Sequence, residues 1–284
     1  MMRTGFALVL ALALAAPSVA RAAEEYEPRL TLDVPAAGPR TVALTLDACS
    51  GATDLRVLDA LIADNVPATV FVTRRWLMGN GEAFARIRAR PDLFEIENHG
   101  DRHVPAITDA PAMFGIPTAG SLEAVRREVE GGARAIETAT GARPRWYRDA
   151  TARYSRDALA AIRADGYRIA GFSLNGDMGA SLPAATVARR IAGARHGDVI
   201  IAHMNQPKRA AGAGVVEGVR ALKAQGTRFV RLNDLPATER DGAPTPGGAG
   251  WPRAVAARPA PKLPVGAPRP GPPVAPSMAP VTPR

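Results

Sequence analysis

Five side chains with the chemistry of a hydrolytic site stand at or just after the ends of predicted strands. They are Asp47, His99, His103, Arg148 and His203. Because the carboxyl ends of parallel strands meet at one face of an α/β fold, we expect these side chains to converge. Two histidines four residues apart can bind one divalent ion, with zinc as the first expectation. A separate carboxylate and a separate histidine can then serve as general base and general acid.

The stretch TVALTLDACSG, residues 41–51, raises the main question about this site. Asp47 ends the strand, and the small residues that follow include one conventional metal ligand, Cys49. Cys49 is a soft ligand close to the predicted site, but we interpret it first as a small buried residue. Asp54 precedes the next helix, and we interpret it first as the N-cap of that helix and second as a ligand that reaches back.

Arg148 and His203 each have an ordinary interpretation beside the functional one. Arg148 is either a surface arginine or a fixed positive charge that orients Asp47 and keeps it ionised. His203 is either a packed histidine at a strand end or the acid of the reaction. The fourth histidine of the chain, His196, stands in ARHGD and is interpreted as a partner of a helix C-terminus.

Short apolar strands alternate with amphipathic helices through the middle of the chain. The predicted strands span residues 41–47, 68–73, 93–98, 145–148, 168–174, 198–203 and 228–232. The predicted helices span residues 54–65, 121–141, 155–167, 181–197 and 215–226. This alternation predicts parallel βαβ units, and about 200 residues favour a closed or nearly closed barrel smaller than the eight-stranded form.

The two ends of the chain differ from this middle part. Residues 1–23 are predicted to be a secretory signal peptide, with an uncleaved anchor as the alternative, and residues 24–37 a lead-in. The catalytic domain is predicted at 38–236. Residues 237–284 are predicted to be a disordered Pro-rich tail, because they hold half of the prolines. We interpret this tail first as solvated without a specific role and second as a segment that contacts cell-envelope components.

Charge and cysteine content exclude two classes of protein. The net charge of +9 comes mostly from the ends, because Arg3 and Arg21 precede the middle part and the last 43 residues hold five basic side chains without an acid. A basic nucleic-acid-binding domain is therefore not predicted. The single cysteine excludes an internal disulfide, so the core alone must hold the fold.

The order of these motifs resembles the polysaccharide deacetylase family, the NodB-homology carbohydrate esterases. The shared order is strand–Asp, HxxxH, aromatic–Arg, aromatic–Ser–x–Asn and hydrophobic–x–His, and it extends to VPATVFVTRRW and FEIENH within residues 38–235. The resemblance implies a distorted (β/α) barrel with about seven parallel strands. It also implies a hydrolase that removes N-acetyl, or O-acetyl, groups from polysaccharides with a divalent metal: zinc, or else cobalt, manganese or nickel.

The resemblance assigns a role to each motif residue. Asp47 corresponds to the catalytic base, His203 to the catalytic acid and Arg148 to the arginine that orients the base. His99 and His103 correspond to metal ligands. Asn175 and Asp177, which follow the fifth predicted strand, are assigned to substrate binding.

The sequence departs from the family pattern at three places. Ala48 stands where a second aspartate usually provides the third metal ligand, DATARY replaces a proline-rich stretch after Arg148, and Asn175 stands where an aspartate is expected. Three arrangements could complete the metal site: Asp47 binds the metal as well, water fills the position, or Asp54 reaches back.

These features together predict an exported, metal-dependent deacetylase, periplasmic or secreted, with no transmembrane segment after signal cleavage. Its partner is an acetylated polysaccharide such as peptidoglycan, a chitin-like glycan or an exopolysaccharide. The alternatives are a catalytically impaired glycan-binding protein and a wall protein that acts through its tail. Residues 104–120 and 171–181 are predicted to shape the sugar groove. Trp76, Trp146 and Tyr154 are candidates for stacking on sugar rings, with core packing as the first interpretation of Trp146.

Overall fold

A curled sheet of parallel strands forms the centre of the molecule in the computed structural model, which describes residues 24–246. The strands are β1 (Glu24–Tyr26), β2 (Arg29–Leu32), β3 (Thr41–Ala48), β4 (Ala68–Val72), β5 (Phe94–Asn98), β6 (Ala112–Met113), β7 (Ile116–Pro117), β8 (Trp146–Tyr147), β9 (Tyr154–Ser155), β10 (Arg168–Ile169), β11 (Leu174–Asn175), β12 (Val199–His203), β13 (Arg228–Val230), β14 (Ala237–Arg240) and β15 (Pro244–Pro246). The helices are α1 (Leu55–Ala63), α2 (Arg74–Gly79), α3 (Gly81–Arg88), α4 (Leu122–Thr140), α5 (Arg156–Ala164), α6 (Ala184–Ala192) and α7 (Ala211–Ala224).

The central sheet has the strand order β10-β8-β5-β4-β3-β12-β11, and β13 also pairs with β3. Every pair in this sheet is parallel. In the β3–β12 pair, Asp47 lies opposite His203, so two candidate catalytic residues leave the sheet at the same level. The distorted (β/α) barrel expected from the sequence is therefore confirmed.

The predicted strand at 168–174 is two strands that pair at opposite edges of the sheet. Its first part, β10, pairs with β8, and β11 pairs with β12. Between them the carbonyl groups of Ala170 and Gly171 accept hydrogen bonds from the Arg148 side chain (3.0 and 3.3 Å), so they are unavailable for a strand ladder. The segment links the two edges and closes the barrel, with Arg148 inside the closure.

The five predicted helices are present, and among them α1 and α4 begin at residues whose side chains cap the helix. Helix α4 begins after Ser121, whose side chain accepts a hydrogen bond from the Ala124 amide at 3.2 Å. It ends at Gly141, which adopts a left-handed conformation (φ 78°). Helices α2 and α3 were not predicted. They occupy residues that follow β4 and carry only a short apolar pattern.

The two faces of β3 have different roles. Val42, Leu44, Leu46 and Ala48 are fully buried in the main apolar cluster. The alternate residues Thr45 and Asp47 point to the other face, because successive side chains of a strand alternate. The strand thus presents an apolar face to the core and a polar face to the barrel interior.

The candidates for sugar stacking are part of the core. Trp76, Trp146 and Tyr154 are all fully buried, so the expectation that they stack on sugar rings is wrong. Trp146 donates its indole N–H to Asn233 at 3.0 Å, and Tyr154 accepts a hydrogen bond from the Asp149 amide at 2.8 Å. The large rings at these positions fill the core, because burial of their apolar area is favourable.

The barrel is flanked by strands from both ends of the described chain. The lead-in forms β1 and β2, which pair with β15 and β14 in antiparallel fashion. The segment predicted as tail therefore begins as ordered strands at 237–246, because backbone pairing with the lead-in satisfies its hydrogen bonds. The predicted signal peptide and the rest of the predicted tail lie outside the described residues. None of the helices within 24–246 combines the length and the apolar character needed to cross a membrane.

His196 has a different role from the predicted one. Helix α6 ends at Ala192, before His196. The His196 Nδ1 accepts a hydrogen bond from the Thr41 amide at 3.0 Å, and its Nε2 donates to the Pro35 carbonyl at 2.9 Å. The side chain therefore anchors the beginning of β3 rather than the end of a helix.

Candidate active site

Asp47 and Arg148 form a buried ion pair at the carboxyl end of the sheet. Arg148 Nη1 donates to Asp47 Oδ1 at 2.8 Å, and both side chains are almost completely excluded from solvent. The guanidinium also lies over the ring of Phe71, 4.2 Å from its centroid. Burial opposes ionisation of Asp47, but Arg148, with smaller contributions from His99 and His203, holds the pKa of the carboxyl below its usual value. Asp47 is thus held ionised and fixed in orientation.

His203 is held by Asp177 through two hydrogen bonds. The His203 backbone amide donates to Asp177 Oδ2 at 2.7 Å, and His203 Nδ1 donates to Oδ1 at 3.0 Å. Burial disfavours the imidazolium, but Asp177 outweighs it and raises the pKa of His203 well above its usual value. Nε2 is left as the nitrogen that can deliver a proton.

This geometry changes the interpretation of Asp177. Its carboxylate has no solvent exposure, and both of its oxygens are engaged with His203. We therefore interpret Asp177 as the residue that orients His203, in place of direct contact with substrate. Asn175 keeps a position compatible with its predicted role, because it lines the same cavity as Asp47 and His203.

His99 and His103 lie side by side with one nitrogen of each unused. Their ring centroids are 5.0 Å apart. His99 Nδ1 donates to the Arg148 carbonyl at 2.8 Å, which leaves Nε2 to face the site. Within residues 24–246, neither His99 Nε2 nor His103 Nε2 has a hydrogen-bond partner, although both atoms are buried. Buried nitrogens in this state suit a bound cation.

The third group beside these nitrogens is Cys49. Its Sγ and one nitrogen from each histidine all lie within 4.8 Å of one another. Burial opposes ionisation of the thiol, but the charge of His99 and contacts with His103 and His203 hold its pKa well below the usual range. In turn, Asp47 and Cys49 outweigh burial and raise the pKa of His99 to about 9. The donor set of two imidazoles and a thiolate is one that zinc and related metals favour.

The turn that carries Cys49 is fixed by side chains from three other segments. Thr73 donates to the Cys49 carbonyl at 2.5 Å and also caps helix α2. Asn205 donates to the Ser50 carbonyl at 2.6 Å, and Asn80 to that of Gly51 at 2.9 Å. The turn therefore cannot shift without loss of these three hydrogen bonds, of which that from Thr73 is fully buried.

Asp54 is committed to the start of helix α1. Its carboxylate accepts from the Arg56 amide at 3.2 Å and from the Arg56 guanidinium at 2.8 Å. Its place is that of the N-cap, which agrees with the first interpretation from the sequence. Asp54 is not one of the groups that the described structure brings together around a common point with His99 and His103.

Glu128 fixes the loop that carries His103. Its Oε1 accepts hydrogen bonds from three successive amides, those of Arg102 (2.8 Å), His103 (2.7 Å) and Val104 (3.1 Å). His103 adopts a positive φ of 68° in this loop. Three amide hydrogen bonds to one carboxylate oxygen offset the cost of that conformation. Glu128 was not predicted as a site residue, because a glutamate within an amphipathic helix indicates a solvent-exposed position.

Asp149 performs a similar role on the other side of the site. This buried carboxylate accepts from the Ala106 amide at 2.5 Å and from the amide and hydroxyl of Thr151 at 2.8 and 2.7 Å. It ties the segment after His103 to the loop after Arg148. The DATARY stretch, which departs from the family pattern, therefore contributes a structural anchor.

A small cavity lies above Asp47 and His203. Its volume is about 130 Å³, and Phe114, Phe172 and Ile201 form much of its apolar wall. Phe114 stands in the hairpin of β6 and β7, within the loop predicted to shape a groove. The cavity thus combines a base, an acid and an apolar wall, an arrangement suited to hydrolysis of a small acyl group.

Comparison with known proteins agrees with this fold. Residues 35–170 match the family model described as polysaccharide deacetylase. Among solved structures, the chain is similar to a peptidoglycan N-acetylglucosamine deacetylase (20% identity over 70% of this chain and 88% of that chain, TM-score 0.58). It is also similar to the peptidoglycan deacetylase PdaC from Bacillus subtilis (21% identity, 69% and 90% coverage, TM-score 0.56).

A third similar structure is that of a CE4 family pseudoenzyme from Bacillus anthracis, in a mutant form with restored enzymatic activity. The identity is 20%, with 70% of this chain and 68% of that chain covered and a TM-score of 0.54. A comparison with curated protein sequences found no match. The chain thus carries a polysaccharide deacetylase domain, and the resemblance seen in its motifs is confirmed. The family is one of hydrolases that act on N-acetyl groups of carbohydrates.

Proposed function

We propose that this protein is an exported, metal-dependent deacetylase that hydrolyses N-acetyl, or O-acetyl, groups on a polysaccharide. Peptidoglycan, a chitin-like glycan and an exopolysaccharide are the candidate substrates. The observation that carries the proposal is that one cavity holds two groups whose pKa values are shifted in opposite directions. Arg148 keeps Asp47 ionised, and Asp177 keeps His203 protonated. Export rests on the predicted signal peptide at 1–23.

The proposed reaction uses these two groups in sequence. Asp47 accepts a proton from the attacking water, and His203 then donates a proton from Nε2 to the departing sugar amine. When bound, a divalent metal would polarise the acetyl carbonyl and make the water more acidic. His99 and His103 would hold that metal. The cavity has room for about four water molecules, so it suits an acetyl group while the sugar chain lies outside.

The proposal is tested by release of acetate from defined glycans. We expect the purified chain, loaded with zinc or cobalt, to release acetate from acetylated chito-oligosaccharides or peptidoglycan. Chelation should abolish the release, and Asp47→Asn, which has the same shape without the base, should lower it by about 10²-fold or more. Release of acetate from substrates that carry only O-acetyl groups would indicate O-deacetylation, and its absence there would assign the activity to N-acetyl groups.

Two other results would favour a different function. Folded, metal-loaded protein that binds glycan but releases no acetate would support the glycan-binding alternative. The replacement of the usual aspartate by Ala48 and the similarity to a pseudoenzyme are the reasons to test for it. A phenotype that depends on the tail but not on Asp47 would support the wall-protein alternative.

The role of Glu128 gives a separate prediction about metal affinity. Glu128→Ala leaves three amides beside His103 without their acceptor, and we expect zinc affinity to fall by about 10–100-fold. Glu128→Gln retains one acceptor oxygen, so its zinc affinity should fall by less than that of Glu128→Ala. Competition with a chromophoric chelator measures the affinity. The matched control is Glu123→Ala on the same helix, because that side chain is 83% exposed. Equal affinity in Glu128→Ala and the control would contradict the role of Glu128.

A further inference from the structure

Cys49 lies two positions after Asp47, directly beyond the last residue of β3. Ala48 is fully buried in the apolar cluster with Leu44 and Leu46, on the face of β3 that packs against the core. Strand β3 ends at Ala48, so Cys49 is the first residue of the turn that follows. The structure places its Sγ within 4.8 Å of one nitrogen each of His99 and His103. A ligand absent at position 48 can therefore be provided at position 49 from the barrel side.

The surroundings of Cys49 are those of a cation site. His99 is only 1% exposed, yet its Nε2 has no hydrogen-bond partner among the described residues and faces the thiol. Asp47 Oδ2 lies 3.9 Å from this nitrogen. Together with His103, the three ligand atoms are within 4.8 Å of one another, so all three lie around one common point.

A simple buried thiol does not account for this arrangement. A thiol with only a packing role leaves both buried imidazole nitrogens without a hydrogen-bond partner, whereas a cation would be bound by both of them. The turn is also held rigidly from Thr73, Asn205 and Asn80, which keeps the thiol at its position. Fixed ligand positions and unpaired nitrogens together indicate a preorganised site.

We propose that Cys49, as a thiolate, is the third protein ligand beside His99 and His103, in place of the aspartate that Ala48 lacks. The proposal rests on the metal dependence in the proposed function and deepens it. Thiolate and imidazole ligands favour zinc, cobalt and cadmium, whereas magnesium and manganese favour oxygen ligands. The site therefore selects thiophilic cations. One charge from Cys49 replaces the charge of the missing carboxylate.

Cobalt titration of the full chain tests this proposal without substrate. We expect wild-type protein with Co²⁺ to show a near-ultraviolet thiolate-to-cobalt charge-transfer band. Cys49→Ser should lose the band and weaken zinc affinity by about tenfold or more. Cys49→Asp should bind cobalt through oxygen, with visible bands but no charge-transfer band. A wild-type protein that binds cobalt without the band, or equal zinc affinity in wild type and Cys49→Ser, would overturn the proposal.

Alkylation of the thiol provides a second measurement on the unaltered protein. Because Cys49 is the only cysteine in the chain, any reaction with iodoacetamide reports on this site. We expect zinc to protect the thiol in wild type but not in His99→Ala. Reaction at the same rate with and without bound zinc would contradict coordination by Cys49, whether or not a variant folds well.

The same variants separate this proposal from that of deacetylation. If the cobalt band is present but no acetate is released, the ligand assignment stands and the proposed function fails. If acetate is released and zinc affinity does not depend on Cys49, the function stands and the ligand assignment fails. Cys49 also lies close to His203, so a nucleophilic thiol is a rival role. An acetyl thioester on Cys49, detected by mass spectrometry, or loss of all activity in metal-loaded Cys49→Asp, would favour that role over coordination.

Discussion

Replacement of Arg148 by methionine is expected to lower the free energy of unfolding by about 3–5 kcal/mol. Arg148 has no solvent exposure, and its partner Asp47 is 3% exposed. Methionine fills much of the same volume but leaves the Asp47 carboxylate buried without a counter-charge. Removal of one partner of a buried pair costs far more than the pair itself contributes, because the remaining charge is uncompensated.

The loss also extends to the closure of the barrel. Arg148 donates to the carbonyl groups of Ala170 and Gly171, the segment that joins β10 to β11. Without the guanidinium these carbonyls are buried without donors, which adds to the cost. We expect urea denaturation to show a lower midpoint with a similar slope.

A double variant separates the charge from the closure. Asp47→Asn combined with Arg148→Met removes the unpaired charge but leaves the two carbonyl groups without donors, so it should be more stable than Arg148→Met alone. Arg126→Met is the matched control, because Arg126 is 52% exposed beside Asp165 and its loss should cost at most about 1 kcal/mol. If Arg148→Met unfolds like this control, the buried pair does not hold the barrel closed.

The alternation of strands and helices was predictable because it depends on local patterns. The strand at β3 extends over Thr41–Ala48, against a prediction of 41–47, and helix α4 lies between a serine and a glycine cap as expected. Apolar periodicity and capping residues act over a few neighbours, so they are visible in the sequence. The placement of the candidate catalytic residues at strand ends followed from the same alternation.

The parts that were not predicted depend on partners distant in the chain. The strand at 168–174 divides because Arg148, more than twenty residues earlier, takes its carbonyl groups. Glu128 and Asp149 hold loops through hydrogen bonds to backbone amides, which no spacing in the sequence reveals. Polar residues of this kind become recognisable only when the fold shows that they are buried.

The interpretation of Cys49 depends both on local sequence and on partners distant in the chain. The sequence indicates a soft ligand near the site, two residues after Asp47 and just beyond the end of β3. Only the fold shows that His99 and His103 meet it from another strand end. An interpretation from residue type alone therefore favoured a small buried residue.

Replacement of Asp177 by asparagine is expected to lower kcat/KM for acetate release by about 10²–10⁴-fold. Asparagine can occupy the same space and still accept one hydrogen bond from His203, but it carries no charge. Asp177 is the main group that raises the pKa of His203. Without it, burial of the ring dominates, and the imidazolium needed as the acid is less populated.

The direction of the pH effect follows from the protonation states that the proposed reaction requires of His203 and Asp47. His203 must be protonated to act, so activity falls on the alkaline side as the pH passes its pKa. A lower pKa in Asp177→Asn moves this alkaline limb to lower pH. The acidic limb depends on ionised Asp47, whose pKa is held low mainly by Arg148, and should move little. The profile should therefore narrow from its alkaline side.

Asp198→Asn is the matched control for this profile. Asp198 immediately precedes β12, whose last residue is His203, and its carboxylate binds Ser173 and the Arg195 amide. Asp198→Asn makes the same chemical change at the opposite end of β12 from His203, so it should leave both limbs of the pH profile in place. A variant that is merely less stable would lose amplitude without a shift of the alkaline limb. An unshifted limb in Asp177→Asn would therefore show that Asp177 does not set the proton affinity of the catalytic acid, and unchanged activity would remove His203 from that role.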